Sequence, residues 1–145
     1  IILISLVMMY LSPKPDFIYD HRIKAIGVKN KDVIDIYSKY RISNFTQEYW
    51  LGWYGTKKSR YFETELKDQL FELAVSDENF TVSLNYTNCS DAKVQIIMSP
   101  KRVCNQNGLV VNYSDLVNFG IVLVFCQKSS CYAKFGQEPI WKIKE

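Results

Sequence analysis

Apolar and polar residues alternate along much of the chain, which is the pattern of a strand with one face on a core and the other in water. The alternation is clearest in Phe80–Tyr86 and recurs in Phe71–Val75, Ala92–Met98 and Ile140–Lys144. Gly120–Phe125 (GIVLVF) is apolar on both faces, so it predicts a central strand that is buried on two sides.

One segment ahead of these strands has helical spacing instead. Four apolar residues of Lys31–Tyr40 share a face at i, i+3, i+4 and i+7, namely Val33, Ile36, Tyr37 and Tyr40. Asn30 can cap the N-terminus of this segment, so we expect a short helix there. Short strands at regular spacing with one helix indicate an all-β meander, and closure into a small antiparallel β-barrel would remove its exposed edges.

The chain opens on an apolar run, Ile1–Leu11, that is broken only by Ser5 and ends at Ser12-Pro13-Lys14-Pro15. The run is shorter than the roughly 20 residues needed to cross a bilayer, but it resembles the second half of such a segment. Because it lacks a small-x-small cleavage pattern, we expect residues 1–15 to be part of an uncleaved anchor. A clipped signal peptide and an ordinary buried strand are the alternatives. Residues 16–43 would then be a linker with the short helix, and residues 44–145 the barrel.

The four cysteines fit two disulfides. Cys126 and Cys131 flank a polar turn between two strand-like runs, and Cys89 and Cys104 bracket one predicted strand and its turn. Opposed positions of a hairpin bring Cα atoms to about 5.5 Å, a distance that a disulfide accepts. We therefore expect the pairs Cys89–Cys104 and Cys126–Cys131, and with them an oxidising compartment. Zinc is the alternative, but neither pair has zinc-ligand spacing with histidine, and the only histidine, His21, is distant.

Composition narrows the function classes. The chain has 145 residues, of which 48% are hydrophobic, so it can bury a core. Its formal net charge of +3 is spread over several small clusters, and we expect no nucleic-acid partner. No catalytic constellation is visible, because His21 stands alone and the glycines make no phosphate-binding loop. We therefore expect neither an enzyme nor a cofactor or metal.

Five asparagines begin N-x-S/T sequons: Asn44, Asn79, Asn85, Asn88 and Asn112. In a eukaryotic or viral secreted protein these would be N-glycosylation acceptors. In a bacterial periplasm they carry no such meaning. The sequons alone leave both interpretations open.

Three short motifs resemble those of the lipocalins. Asn44-Phe45 followed by Gly52-Trp53-Tyr54 resembles the first lipocalin motif, although Gly52 directly precedes Trp53. Asn112-Tyr113 and Asn118-Phe119, ahead of an apolar strand, resemble the second motif. Trp141–Lys144 resembles the closing W-x-L-x-R motif, with Lys144 in place of arginine. The resemblance implies a calycin-type barrel whose floor is formed by Trp53, Trp141 and Lys144, with the cation over the first tryptophan.

A lipocalin-like barrel also implies a cavity for one small ligand at its open mouth. The candidate wall residues form an apolar lining suited to a bile salt or fatty acid, and the alternative is a filled core. They are Tyr54, Phe71, Phe80, Val82, Ile96, Met98 and Phe125.

The interval from Trp53 to Asn112 is shorter than that between the same motifs of a lipocalin, so one or two strands are missing. An incoming strand from another chain could complete such a sheet by β-augmentation. Alternatively, Phe17–Val28 supplies the strand from within the chain.

The layout of a short anchor, an extracytoplasmic barrel and no catalytic motif is similar to that of bacterial membrane-anchored partner proteins of ToxR-like activators, of the PsaF, MyfF and VtrC type. This resemblance implies a domain in the periplasm, held at the inner membrane, that stabilises or regulates a membrane protein. The two proteins would form a heterodimer by strand pairing, with a small hydrophobic ligand as a further partner. The alternative is a secreted, N-glycosylated lipocalin-type carrier.

Overall fold

A computed structural model of the protein describes residues 2–11, 13–56, 58–75, 78–102, 104, 108–128 and 130–136. Most of its regular structure is strand. In chain order the elements are α1 (Ile2–Leu11), β1 (Phe17–Asp20), β2 (Ala25–Asn30), β3 (Val33–Ser38), α2 (Asn44–Tyr54), β4 (Lys58–Glu63), β5 (Leu70–Val75), β6 (Glu78–Asn85), β7 (Val94–Ile97), β8 (Leu109–Val111), α3 (Tyr113–Phe119), β9 (Ile121–Gln127) and β10 (Ser130–Gly136).

The strands form two separate sheets. The larger sheet has six strands in the order β10-β9-β1-β2-β3-β4, and the smaller has four in the order β5-β6-β7-β8. Neighbours in the larger sheet are antiparallel except β3 and β4, which are parallel. In the smaller sheet β5 and β6 are antiparallel, whereas β6–β7 and β7–β8 are parallel pairs.

The six-stranded sheet is the middle of three layers, because the alternation of side chains along its strands fills two cores. Phe17 and Tyr19 of β1 join the core that lies against the four-stranded sheet. Ile18, between them, joins the core on the opposite face, where α2 packs. The same division holds in β9, where Val122 and Val124 face the four-stranded sheet and Ile121 faces the helix side.

Local capping signals define α2. The Ser43 side chain accepts a hydrogen bond from the Thr46 amide at the N-terminus, and Gly55 ends the helix in the left-handed conformation with φ of 67°. Trp50 and Tyr54, one turn apart, are the buried residues of this helix. A Cβ atom at Gly27 would lie 3.0 Å from the Trp50 ring, so glycine there permits the close approach of helix and sheet.

Two expectations about the fold are wrong. No sheet of the described residues closes into a barrel, because β3 and β4 are joined through α2 as a parallel pair and the chain then leaves for the second sheet. Lys31–Tyr40 contains strand β3 and no helix. Ile34 and Ile36 face α2, while Tyr37 packs against the other core, so both faces of this strand are covered. Because apolar residues occur on both faces, some of them also have the spacing of a helix, which is why the segment was predicted to be helical. Residues 16–43, which were expected to be a linker, thus supply three strands. Phe17–Val28, the segment considered as the internal source of a missing strand, forms β1 and most of β2.

Other expectations are confirmed. The fold is largely β, the predicted strands at Phe71–Val75, Phe80–Tyr86 and Gly120–Phe125 coincide with β5, β6 and β9, and β9 is buried on both faces. The disulfides are Cys89–Cys104 and Cys126–Cys131. They indicate an oxidising compartment, periplasmic or extracellular. Among the described residues, none of the helices is long and apolar enough to cross a membrane.

Candidate functional site: a cleft at the open edge of the two sheets

The two sheets have unequal widths, and the difference leaves a cleft. Strand β5, at one edge of the smaller sheet, lies against β2, so β3 and β4 extend beyond it as an overhang. All the side chains of β4 are exposed. The space between the overhang and β5 is a cleft of about 740 Å³, which we call the edge cleft. Its lining residues are Asp16, Val28, Lys29, Asn30, Lys31, Asp35, Tyr37, Leu70, Phe71, Glu72, Ala74 and Val75.

Aromatic rings form the inner wall of the edge cleft. Tyr37 of β3 lies 5.2 Å from Phe71 of β5 and stacks on Phe62 of β4 at 5.1 Å, measured between ring centroids. Phe71 in turn contacts Phe17 in the core between the sheets. The wall is therefore continuous with the packed interior, which holds its rings in place.

An ion pair fixes the polar side of the cleft. Asp35 is buried, and both of its carboxylate oxygens accept hydrogen bonds from the Arg60 guanidinium, at 2.8 and 3.0 Å. Asn30 donates a further bond to the same carboxylate at 3.1 Å. Such a two-pronged pair holds β4 to β3 with a defined geometry and neutralises the buried charge.

A second carboxylate lies at the floor of the cleft. Asp16 accepts a hydrogen bond from the Cys126 amide at 2.9 Å, and burial raises the pKa of its carboxyl above the usual value. Lys29 lies close enough to oppose that rise. With Lys29, Lys31 and Glu72 also on the lining, the polar rim carries charges of both signs around an apolar wall.

The backbone of β5 offers a free edge to the cleft. Gln69 accepts a hydrogen bond from the Leu84 amide, so Gln69 and Leu84 are a hydrogen-bonded pair of the β5–β6 ladder. Since hydrogen-bonded and non-hydrogen-bonded pairs alternate in an antiparallel ladder, Leu70, Glu72 and Ala74 direct their N–H and C=O groups away from β6. In the part of the chain that the structure describes, β5 has no neighbour on that side.

The structure brings together five of the seven predicted cavity-wall residues. They all belong to the core between the two sheets, where they are buried: Phe71, Phe80, Val82, Ile96 and Met98. Phe71 alone among the seven also lines the edge cleft. Tyr54 lies on the opposite face of the larger sheet, where its hydroxyl donates to the Gly27 carbonyl at 2.6 Å. Phe125 is buried in β9 and stacks on Tyr132.

Of the three predicted barrel-floor residues, the structure describes Trp53. Trp53 lies on α2 and is partly buried against the helix-side core, so it does not occupy a strand as a floor residue would. Trp141 and Lys144, and with them the predicted strand Ile140–Lys144, lie outside the described residues. The residues that resemble the second lipocalin motif lie in and around α3, with Asn112 as its N-cap.

One sequon is inaccessible. Asn85 is buried, and its side-chain amide donates to the Gln95 side chain at 2.7 Å. A glycan on Asn85 would displace this bond from a packed position, so the folded domain offers no acceptor there.

Sequence reasoning missed the residues that build the edge cleft, above all Asp35 and Arg60. The signal was present in part: Asp35 is a carboxylate inside the apolar run VIDIY, and a charge at such a position needs a partner. Arg60 could not be found as that partner without knowing that β4 pairs with β3 in parallel.

Comparison with known proteins identifies a relative without a described activity. No protein-family model matches the chain, and no solved structure matches it. Over 65 residues, which are 45% of this chain and 88% of the relative, it is 35% identical to "Uncharacterized protein RC0016" of Rickettsia conorii. The chain therefore belongs to the same family as this rickettsial protein.

Proposed function

We propose that this chain is a non-enzymatic, membrane-tethered module of the periplasm that pairs with a membrane protein and stabilises or regulates it. A strand of the partner adds to the free edge of β5 inside the edge cleft. The observation that carries the proposal is this edge of β5: within the described ranges no strand lies beside it, and Leu70, Glu72 and Ala74 direct backbone groups to a cleft with apolar walls.

The edge cleft supports strand addition better than the nearby edge strand β4 does. An added strand needs backbone partners along one side and pockets for its alternate side chains. The edge cleft provides the rings of Tyr37 and Phe71 for apolar side chains and charged groups of both signs at the rim. Strand β4 is also an edge, but every one of its side chains is exposed and it carries charges at both ends, as edges protected against pairing do.

The proposed location follows from the disulfides and from α1. Two disulfides require an oxidising compartment, which the bacterial periplasm provides. Those apolar side chains of α1 that the structure describes are exposed to solvent in the isolated chain, so a lipid environment would cover them. An inner-membrane tether with a ToxR-like activator as the partner matches the layout of the chain. Tethering also raises the effective concentration of a co-anchored partner.

Site-specific photocrosslinking in bacterial cells tests the proposal. A photoreactive phenylalanine analogue at Glu72 should give a crosslink to one membrane protein, at an extended segment of its periplasmic part. The matched control places the same analogue at Lys134 of β10, an exposed residue at the other end of the larger sheet. With the analogue at Leu70 instead, Glu72→Pro should abolish the crosslink, because it removes one N–H that faces the added strand. Crosslinks from Lys134 and none from Glu72 would contradict the proposal.

A small hydrophobic ligand is a second candidate for the same cleft. The volume of about 740 Å³ lies within the range of small-molecule sites, and the lining combines rings with two lysines that could hold a carboxylate. We expect a fatty acid or bile salt that binds there to raise the melting temperature, and Phe71→Ser to lose the shift. A shift that Phe71→Ser leaves intact would place the ligand elsewhere.

A further inference from the structure

Helix α2 carries a row of aromatic side chains that are exposed at its N-terminal end and half-buried at its C-terminal end. Phe45, Tyr49 and Trp53 follow one another at i, i+4 and i+8, and we call them the aromatic stripe. The ring centroids are 6.5 Å apart for Phe45 and Tyr49 and 4.4 Å apart for Tyr49 and Trp53. Phe45 is 60% exposed and Tyr49 is 37% exposed. Contiguous rings at this exposure are unusual on a surface that faces only water.

The stripe ends beside the segment that follows α1. The side chain of Lys14 lies 3.4 Å from the point where a Cβ atom at Gly55, the C-cap of α2, would be. Lys14 follows the last residue of α1, Leu11, by three positions, so α1 ends close to the C-terminal end of α2. The C-terminal member of the stripe, Trp53, is therefore its member nearest to α1.

Helix α1 is itself a second uncovered apolar surface. Ile2, Leu3, Ile4, Leu6 and Leu11 are each at least 60% exposed, and the helix carries no charged residue. The surface that covers α1 must extend to Leu11, which is three residues from Lys14. It therefore also comes close to the end of the aromatic stripe. One apolar medium can cover both surfaces, and a lipid bilayer is such a medium.

We propose that the aromatic stripe of α2 lies in the headgroup region of an anionic lipid bilayer, next to α1 inserted in the same leaflet. Tyrosine and tryptophan favour this region, because their rings take apolar contacts while their polar atoms stay hydrated. Lys14, whose side chain lies beside Gly55, and Lys58, three residues after Gly55, place positive charge where anionic headgroups would lie. The inference rests on the membrane tether of the proposed function and is independent of strand pairing at β5.

Quenching of tryptophan fluorescence by brominated lipids tests the position of the stripe. The full chain is added to vesicles of phosphatidylethanolamine and phosphatidylglycerol that carry bromine near the headgroup. The chain has three tryptophans, Trp50, Trp53 and Trp141. Trp50 is buried on the face of α2 that packs on the sheet. Trp53→Phe, which keeps an aromatic ring in the stripe, should remove most of the quenching, and Trp141→Phe should retain it. Quenching as strong in Trp53→Phe as in the original chain would overturn the inference.

Vesicle affinity tests the contribution of the stripe. We expect Phe45→Ser/Tyr49→Ser to lower the partition coefficient by about tenfold or more. The matched control is Tyr86→Ser, a residue 46% exposed that follows a strand of the smaller sheet, away from α2. An equal loss in the control, or unchanged binding of the double variant, would overturn the inference. If the double variant fails to fold, the more exposed Phe45→Ser alone provides the comparison, with an expected loss of about threefold.

Discussion

The two lateral ends of the six-stranded sheet are built differently. At one end β10 lies against β8 of the smaller sheet, and the Cys126–Cys131 disulfide ties β10 to β9. At the other end the smaller sheet stops beneath β2, and β3 and β4 extend over the edge cleft. Among the described residues, the two sheets therefore meet edge to edge at one end and leave a cleft at the other. A sheet edge that is left unpaired has backbone groups available for another chain.

Connectivity explains the difference. The closed end is a hairpin, in which β9 and β10 are joined by a tight turn. The open end is a crossover, in which the chain leaves β3, forms α2 on the outer face, and returns as β4 in parallel. After β4 the chain crosses to the other layer and begins β5, which pairs with β6 and not with β4.

Proline substitutions at neighbouring positions of β5 give the largest expected contrast between its two edges. Leu73 is buried, and the ladder register directs its N–H toward β6, so Leu73→Pro should destabilise the domain by more than about 4 kcal/mol. The N–H of Glu72 faces the cleft, and Glu72→Pro should cost at least about 2 kcal/mol less. Urea unfolding measures both. Equal losses would mean that the outer edge of β5 is already in use.

Truncation of two phenylalanines separates the covered part of the cleft from the overhang. Phe71 is 9% exposed and joins the core, so we expect Phe71→Ala to cost about 3 kcal/mol in the free energy of unfolding. Phe62 is 41% exposed on β4, and Phe62→Ala should cost about 1 kcal/mol through its stack on Tyr37. A loss at Phe62 as large as that at Phe71 would show that something covers the overhang.

The smallest expected effect concerns the anchoring of β5 at the open end. Asp68, just ahead of β5, accepts hydrogen bonds from the Tyr86 and Thr87 amides and the Thr87 hydroxyl. The bond from the Thr87 hydroxyl is the main cause that lowers the pKa of Asp68 from 3.8 to about 2. Because the folded pKa is depressed, the stabilisation is full above about pH 4 and is lost as the pH falls toward 2.

We therefore expect Asp68→Asn to lower the free energy of unfolding by about 1 kcal/mol or less at pH 7, since the carboxylate is exposed. Asparagine tolerates the left-handed φ of 50° at this position, so the substitution isolates the charge. Thermal melts of both proteins between pH 7 and pH 2 should converge at the acid end. A difference that stays constant with pH would assign the effect to packing.

The sequence predicted the half-buried strands because each contains a period of two that local residues set by themselves. The predictions from sequence fail where apolar residues fit both the strand period and the helix period, or where contacts with distant segments determine the structure. Val33–Ser38 has apolar residues on both faces because α2 covers one and the second sheet the other, and neither layer is visible from the segment alone. Asn44–Tyr54 was expected to be part of the barrel, although Ser43 and Gly55 were helix-capping signals at the correct distance.

The candidate site was less predictable than the fold. The chain was expected to be short of strands and open to pairing with a partner, and the expected apolar residues Phe71, Phe80 and Met98 proved to be packed core. The edge cleft arises from a difference in width between two sheets, which depends on parallel pairings across α2 and between β6 and β7. Such pairings have no local sequence signal, so residues such as Asp35 and Arg60 could not be brought together in advance.

Hydrogen–deuterium exchange of the amides of β5 tests most directly whether this strand has a free edge. In the isolated protein, the amides of Leu70, Glu72 and Ala74 should exchange rapidly, while those of Phe71 and Leu73 should be protected by the ladder with β6. We expect this alternation along the strand. Uniform protection of all five amides in the protein alone would show that the edge is already paired, and would contradict a site for strand addition in the edge cleft.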